Sequence, residues 1–200
     1  MPSAAHAIIL VGIPGAGKST FSKRFAETFS LPLFNLLKIK QDLGLNARQA
    51  AQFFEVTIEE LAKTGQTVVL EGFTDTYKER EMLREVLMRL KYTPLFVWVQ
   101  TDTNESLRRA TSVRMGDERL TQREFDRLLD AFEPPEAREQ TIVISGRHAY
   151  PTQLKVVLKY IAGLRVSQKS AASAGATVRQ SRPRARTVIV PGVKNSSSRK

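Results

Sequence analysis

Eight consecutive residues near the start of the chain, Gly12-Ile13-Pro14-Gly15-Ala16-Gly17-Lys18-Ser19, restrict the fold more than any other feature of the sequence. They follow the apolar run Ala7–Val11 and precede Phe21, Phe25 and Phe29, spaced four apart. An apolar run ending at a glycine reads as a buried strand, and the phenylalanine spacing reads as the inward face of a helix starting near Lys18. The glycine-rich stretch is then a strand-to-helix turn. Glycines let such a turn curl tightly and point successive N–H groups inward, which makes a nest for an anion. The helix behind it aims the positive end of its dipole at the same place. The stretch matches G-x-x-x-x-G-K-[ST] in full, and the strand before and helix after supply the context that pattern requires. Gly12, Ile13, Pro14, Gly15, Ala16, Gly17, Lys18, Ser19 and Thr20 are therefore expected around the phosphates of a nucleotide. Lys18 should reach the β- and γ-phosphates, and the Ser19 hydroxyl should coordinate Mg2+. There is no Asn-Lys-x-Asp guanine signature in the chain, which tilts the expectation from GTP toward ATP.

Strand-like and helix-like segments alternate along the rest of the first 164 residues. Pro32–Asn35, Thr67–Leu70, Leu95–Val99 and Thr141–Ile144 read as strands. Asn46 is positioned to cap a helix reaching Lys63, with Gly65 after its end. Thr76-x-x-Glu79 and Thr121-x-x-Glu124 are capping boxes, and Asp102 is a third N-cap. Pro134-Pro135 stops one helix, and Pro151 opens the last, with Leu154, Val157, Leu158 and Ile161 as its buried stripe. Leu95–Val99, apolar throughout, is expected in the interior of the sheet. Five strands each followed by a helix predict an α/β domain with a parallel sheet, helices on both faces, right-handed crossovers and ligands at the carboxyl ends of the strands.

Charge divides the chain in two. Residues 165–200 hold nine of the 31 Lys and Arg and no acid, which leaves 22 basic and 20 acidic residues in the first 164. Residues 1–164 are thus a nearly neutral domain. Residues 165–200, rich in Ser, Ala and Arg, are expected to form a basic disordered tail. Such a tail can attract nucleic acid or an anionic membrane surface through phosphate contacts, or serve only as a solubilising appendage. Thr187-Val188-Ile189-Val190 is the single apolar patch within it. The chain has no cysteine and two histidines, so disulfides and thiolate metal sites are excluded and a histidine site is disfavoured. No apolar run approaches the roughly 20 residues of a membrane helix. The N-terminus lacks a basic segment before its apolar run and reads as the start of the fold; a cytoplasmic location is expected.

Glu71 stands at the end of the third strand, where an acid can hold the shell of a magnesium ion directly or through water. Arg108, Arg109 and Arg114 follow the fourth strand within one short segment. Fixed guanidinium groups stabilise the charge spread over a transferring phosphoryl group, and Arg119 could join them from a closing lid. Lys18, Glu71, Arg109 and Arg114 are the catalytic candidates, with Ser19 and Glu71 as the metal candidates. Gly146, Arg147 and His148 follow the last strand.

Val11–Thr20, Val68–Gly72, Arg108–Arg114 and the Phe132-Glu133-Pro134-Pro135 turn together resemble the P-loop kinase superfamily. The resemblance is to the group that includes polynucleotide-kinase-like, zeta-toxin-like and gluconate-kinase-like members of the AAA-type ATP-binding kinases. It covers residues 7–163. It implies a three-layer P-loop NTPase fold with strand order 2-3-1-4-5 and a small helical lid. It also implies Mg-ATP as donor, a small-molecule or polynucleotide hydroxyl as acceptor, and a base-side position for the loop after the last strand. One position departs from the group. Its members usually carry, after the second strand, an aspartate that accepts the acceptor's proton and an arginine three residues later; here Leu37 and Lys40 fall there. Losing a general base typically costs 10²–10⁴-fold in rate. Asp42, Glu71 or Asp75 could take the role, or the acceptor is already ionised, which Lys38 and Lys40 would suit. Two functions stay open: an ATP-dependent kinase, or a non-catalytic or weakly hydrolysing ATP-binding module that regulates a partner.

Overall fold

Alternate residues of a strand face opposite sides of a sheet, and in β1 (His6–Val11) every residue on both sides is buried. Such a strand needs a neighbour on each edge and a helical layer on each face. The computed structural model, which describes residues 5–113 and 119–177, supplies all four. β1 pairs in parallel with β3 (Val68–Glu71) on one edge and β4 (Thr93–Gln100) on the other. β2 (Leu33–Asn35) lies outside β3, and β5 (Ile142–Ser145) lies outside β4, giving the order 2-3-1-4-5 with every pair parallel. The expected α/β fold and sheet order are both found. β1 is the middle strand, and β4 is an interior one.

Ala7, Ile9 and Val11 belong to a core cluster with Ile58, Val68, Leu70, Leu83, Leu87, Tyr92 and Phe96. α3 (Ala47–Thr64) and α4 (Tyr77–Arg89) contribute Ile58, Leu83 and Leu87 to it. α1 (Lys18–Phe29) packs by Phe21 and Phe25, whose rings lie 5.5 Å apart, and Phe21 meets the ring of Tyr150 of α7 (Tyr150–Thr177) at 5.8 Å in a tilted arrangement. Phe29, expected on the same buried face, is half-exposed and covers Phe25 from the end of the helix.

Caps set the helix starts as the sequence indicates. Asn46, Thr76 and Thr121 each accept from the backbone N–H three residues on, and Gln49, Glu79 and Glu124 reach back to close the boxes. Asp102 accepts from the N–H groups of Asn104 and Glu105 to open α5 (Thr103–Arg108). α5 continues into a π-helical turn, Arg109–Val113. α6 (Gln122–Asp130) and a short 3-10 turn, Ala137–Glu139, lead to β5. One helix has no counterpart in the sequence reading: α2 (Leu36–Asp42), capped by Asn35, follows β2 directly. Its seven residues, LLKIKQD, make only about two turns, too few for a helical period to show.

α7 runs to Thr177, past the residue-165 boundary expected for the tail. Four alanines lie between residues 171 and 176, and alanine is the best helix former. The chain divides into two compact units, Met1–Ile161 and Ala162–Lys200, of which the second is described only by the later part of α7. The Thr187–Val190 patch and most of the tail's charges lie outside the described residues. Among the described residues no helix is long and apolar enough to cross a membrane.

Candidate functional site

The turn between β1 and α1 is a closed curl. Gly12, Gly15 and Gly17 all have positive φ. At Gly15, with φ 78°, a Cβ would also run into the carbonyl of Ser106, so only glycine lets the turn lie against α5. Lys18 folds back over the turn. Its Nζ donates to the carbonyls of Gly12 and Ile13, the latter at 3.1 Å.

The β1–β3 register places Glu71 opposite Leu10, two residues before Gly12. Glu71 thereby comes under the first turn of α1. Its Oε2 accepts from the Ser19 hydroxyl at 2.8 Å, and its Oε1 accepts from Ser22. Two hydroxyls one helical turn apart thus orient one buried carboxylate. A serine hydroxyl and a carboxylate are the hard oxygen donors magnesium prefers when it also takes phosphate oxygens, so Ser19 and Glu71 fit that ion. Among the described residues no group of three or more His, Asp or Glu side chains would hold a metal without help from a ligand.

A second support comes from β4 and β5. Thr101 donates to the Ala16 carbonyl at 2.8 Å. Gly146 packs against the same carbonyl so closely that a Cβ there would overlap both Ala16 O and Thr101 Oγ1. Arg109 crosses above it: Nη1 donates to Gly146 O at 3.1 Å, and Nε donates to Glu105 at 2.8 Å. Glu105 also takes two bonds from Arg108. Hydrogen bonds from Arg108 and then Arg109 lower the Glu105 carboxyl from 4.5 to about 2. A cavity of about 520 Å3 runs along this side of the phosphate loop; Lys18, Thr20, Arg24, Arg109, His148 and Gln153 are among its lining residues.

On the other side, the chain leaves β3 through Gly72 and Phe73, both at positive φ. Thr74 Oγ1 anchors the bend to Leu10 O at 3.0 Å. Asp75 follows, partly buried. Burial raises its pKa above 3.8; Lys18 opposes that rise, Glu79 adds to it, and Arg80 also opposes it. Arg80 lies beneath the loop with no solvent exposure. It donates to Thr74 O at 3.0 Å, to Glu133 O at 2.9 Å and, through Nε and Nη2, to both carboxylate oxygens of Glu139. Glu133 closes the joint: its N–H donates to Asp75 O at 2.8 Å, and its carboxylate accepts from Tyr77 N.

The structure therefore gathers Gly12–Thr20, Glu71 and Arg109 at one edge of the sheet. Arg114 lies outside the described residues. Arg108 turns outward onto Glu105, and Arg119 donates to Thr111 O from an exposed position. Lys38 and Asp42 pair with each other at 3.4 Å with both side chains mostly exposed, so neither Asp42 as a base nor Lys38 as an acceptor clamp has support in this arrangement. Leu37 is 45% exposed and packs beside Gly72. Sequence reasoning missed Ser22, Thr101, Arg80, Glu139 and Gln153. The first two carry no motif, and Arg80 and Glu139 meet only across 59 residues of chain. Gln153 gave a signal that went unread. The buried stripe of α7 is Gln153 and Val157, while Leu158 is exposed; a glutamine at a core position asks for a reason.

A parallel 2-3-1-4-5 sheet with this glycine turn, a lysine folded over it and a strand-end carboxylate under the following helix defines a P-loop kinase-like protein. A family model described as "AAA domain" matches residues 8–135, and the chain belongs to that family. An adenylate kinase from Bacillus licheniformis is 28% identical over an alignment of 127 positions that covers 54% of this chain and 58% of that protein; the match leaves a large share of the relative uncovered. Among solved structures, a gluconokinase from Sinorhizobium meliloti 1021 aligns with a TM-score of 0.60 at 16% identity, over 83% of this chain and 97% of that one. The Mycobacterium tuberculosis APS kinase CysC in complex with AMPPNP and APS gives 0.57 at 13% identity, over 80% and 99%. Kti12 of Chaetomium thermophilum with ADP-AlF3 gives 0.57 at 13%, over 78% and 97%. These likenesses establish the P-loop kinase fold, which is consistent with ATP-dependent phosphotransfer and leaves the acceptor unspecified.

Proposed function

We propose that this chain is an ATP-dependent phosphotransferase that moves the γ-phosphate of ATP to a hydroxyl of a small molecule or a nucleic-acid end. The observation that carries the reading is the Ser19–Glu71 hydrogen bond directly beneath the phosphate loop. A loop that only bound a nucleotide tail would gain little from a buried carboxylate held there by two hydroxyls.

The backbone N–H groups along Gly12–Thr20, from every residue but Pro14, bind the polyphosphate, and Lys18 exchanges its carbonyl partners for phosphate oxygens. Magnesium, held through Ser19 and Glu71, would neutralise charge on the phosphate oxygens. Arg109, anchored at Gly146, supplies a further positive charge on the cavity side. Asp75 takes the place left open by Leu37. It accepts the proton of the acceptor hydroxyl as that oxygen bonds to the γ-phosphorus, the bond from the γ-phosphorus to the β–γ bridging oxygen breaks, and ADP leaves with the electron pair. Its raised pKa suits a group that must accept a proton. Arg80 and Glu133 fix its backbone.

The alternative, an ATP-binding module without phosphotransfer, draws on the exposed Leu37. A phosphorylation screen with labelled ATP against metabolites and oligonucleotides separates the two, with Lys18→Ala as control. Labelled product that disappears in the control supports the kinase. ATP binding with no labelled acceptor and no acceptor-stimulated turnover supports the module. Nucleic-acid contact through the tail predicts RNA binding that weakens steeply with salt; unchanged binding by a chain ending at residue 164 would remove that role.

A further inference from the structure

The cavity beside the phosphate loop reaches from Lys18 and Ser19 to His148, Tyr150 and Gln153, and Glu71 is not part of its lining. A nucleotide whose magnesium end sits at Ser19 and Glu71 must therefore place its nucleoside toward the β5–α7 turn. The groups waiting there differ in how firmly they are fixed. Arg109 is committed to Glu105 and Gly146. Arg24 is exposed, with its guanidinium 5.9 Å from the Tyr150 ring. The Tyr150 hydroxyl shares a contact with Thr28, and hydroxyls rotate to suit a partner. The ring nitrogens of an imidazole such as His148 can serve as donor or as acceptor. None of these rejects one base in favour of another.

Gln153 is different. It is 8% exposed, and its Nε2 donates to the Ser145 carbonyl at 2.8 Å. That carbonyl also accepts from His148 N. A carbonyl can only accept, so the amide cannot be turned over without placing oxygen against oxygen. Oε1 is thereby held away from Ser145, and among the described residues nothing donates to it. The side chain is buried and lines the cavity, so this joint holds one fixed acceptor for which the described residues supply no donor.

From this geometry we infer that Gln153 determines nucleobase specificity: its Oε1 accepts from the exocyclic 6-amino group of adenine and opposes the 6-oxo group of guanine or hypoxanthine. The inference rests on the nucleotide-binding reading above and goes on to name the residue that selects the base. Adenine carries an amino donor at position 6 where guanine carries a carbonyl acceptor. A locked acceptor makes a hydrogen bond with the first and faces a second acceptor in the other.

The test is calorimetry on the full chain with the magnesium salts of ATP, purine riboside triphosphate and ITP, which differ at position 6 (amino, hydrogen and oxo). The expected order is ATP, then purine riboside triphosphate, then ITP, with ATP about tenfold or more tighter than ITP, the scale of one net hydrogen bond plus one unmet acceptor. Gln153→Met keeps the length and removes the acceptor; its ATP to ITP ratio should fall to within about threefold. Equal affinities in the unaltered chain, or an unchanged ratio in a folded Gln153→Met, would overturn the assignment while leaving nucleotide binding intact. If none of the three binds, the nucleotide-binding reading itself fails and this inference goes with it. The order measured on the unaltered chain decides the matter even where the variant does not fold.

Discussion

Glu139 grips Arg80 through two parallel hydrogen bonds, 2.6 and 2.9 Å long, in a place where neither side chain reaches solvent. The pair joins the start of α4 to the turn before β5. Because Arg80 also holds the carbonyls of Thr74 and Glu133, it fixes the Gly72–Thr76 loop as well. Removing one partner leaves an uncompensated buried charge. Arg80→Met or Glu139→Gln should each cost about 3–5 kcal/mol in urea unfolding. Arg80→Met combined with Glu139→Leu should cost less than the two single changes added together. Burial alone would raise the Glu139 carboxyl, but the bonds from Arg80 and Glu136 N–H and the charges of Arg80 and Arg84 lower it below 4.5. Its contribution is therefore complete above pH 4.5 and is lost as the pH falls through the lowered folded value. Arg80→Met should accordingly flatten the acid limb of the stability curve.

Glu71→Gln tests the magnesium end of the site. Glutamine keeps an oxygen for one hydroxyl, but it loses the charge and turns one acceptor into a donor. Turnover with saturating Mg-ATP should fall about 10–100-fold, the usual cost of disturbing a metal-orienting group, while the affinity for ATP measured without magnesium changes little. Ser22→Ala, which leaves Glu71 bonded only to Ser19, should lower turnover by less. Equal turnover of Glu71→Gln and the unaltered chain would reject the role.

The support behind the loop yields a separate prediction. Thr101→Val removes the bond to Ala16 O and should cost about 1 kcal/mol of stability. Gly146→Ala places a methyl group where Ala16 O and Thr101 Oγ1 already are. It should weaken nucleotide binding more than it lowers the melting temperature, because the phosphate loop is the neighbour that must move. A Gly146→Ala chain that binds ATP normally would show that the loop yields to the methyl group without loss.

Local signals explain why so much of the fold was legible. Gly12–Ser19, the apolar β1 and β4, and the three capping boxes each act within a few residues, so pattern and structure coincide. Glu71 was legible because strand ends in such a sheet share one edge. What stayed hidden depends on distance along the chain or on a polar residue in an apolar setting. Ser22 is an ordinary helix serine until the β1–β3 register brings Glu71 beneath it. Arg80 and Glu139 look like surface charges in the sequence, and only the close return of the 133–139 segment buries them. On α7 the expected apolar stripe keeps Val157 buried and Leu154 and Ile161 partly buried, but Leu158 is exposed and Gln153 takes a core position for its amide.

Asp75 permits a test in which stability and activity should move in opposite directions. Its pKa is raised above 3.8, first by burial, so the charged form is disfavoured in the folded chain. Below pH 3.8 the group is protonated in both states and costs nothing. As the pH rises through the interval between 3.8 and the higher folded value, the unfolded chain loses its proton first and stability declines; the penalty then persists to neutral pH. Asp75→Asn removes the penalty. Its melting temperature should exceed that of the unaltered chain at pH 7, and the two should converge toward pH 3.8. If Asp75 is the proton acceptor for phosphotransfer, the same substitution should lower turnover about 10²–10⁴-fold and abolish the acid limb of the rate profile. A stabilised Asp75→Asn that transfers phosphate at the normal rate would show that burial of this carboxylate serves something other than the acceptor's proton.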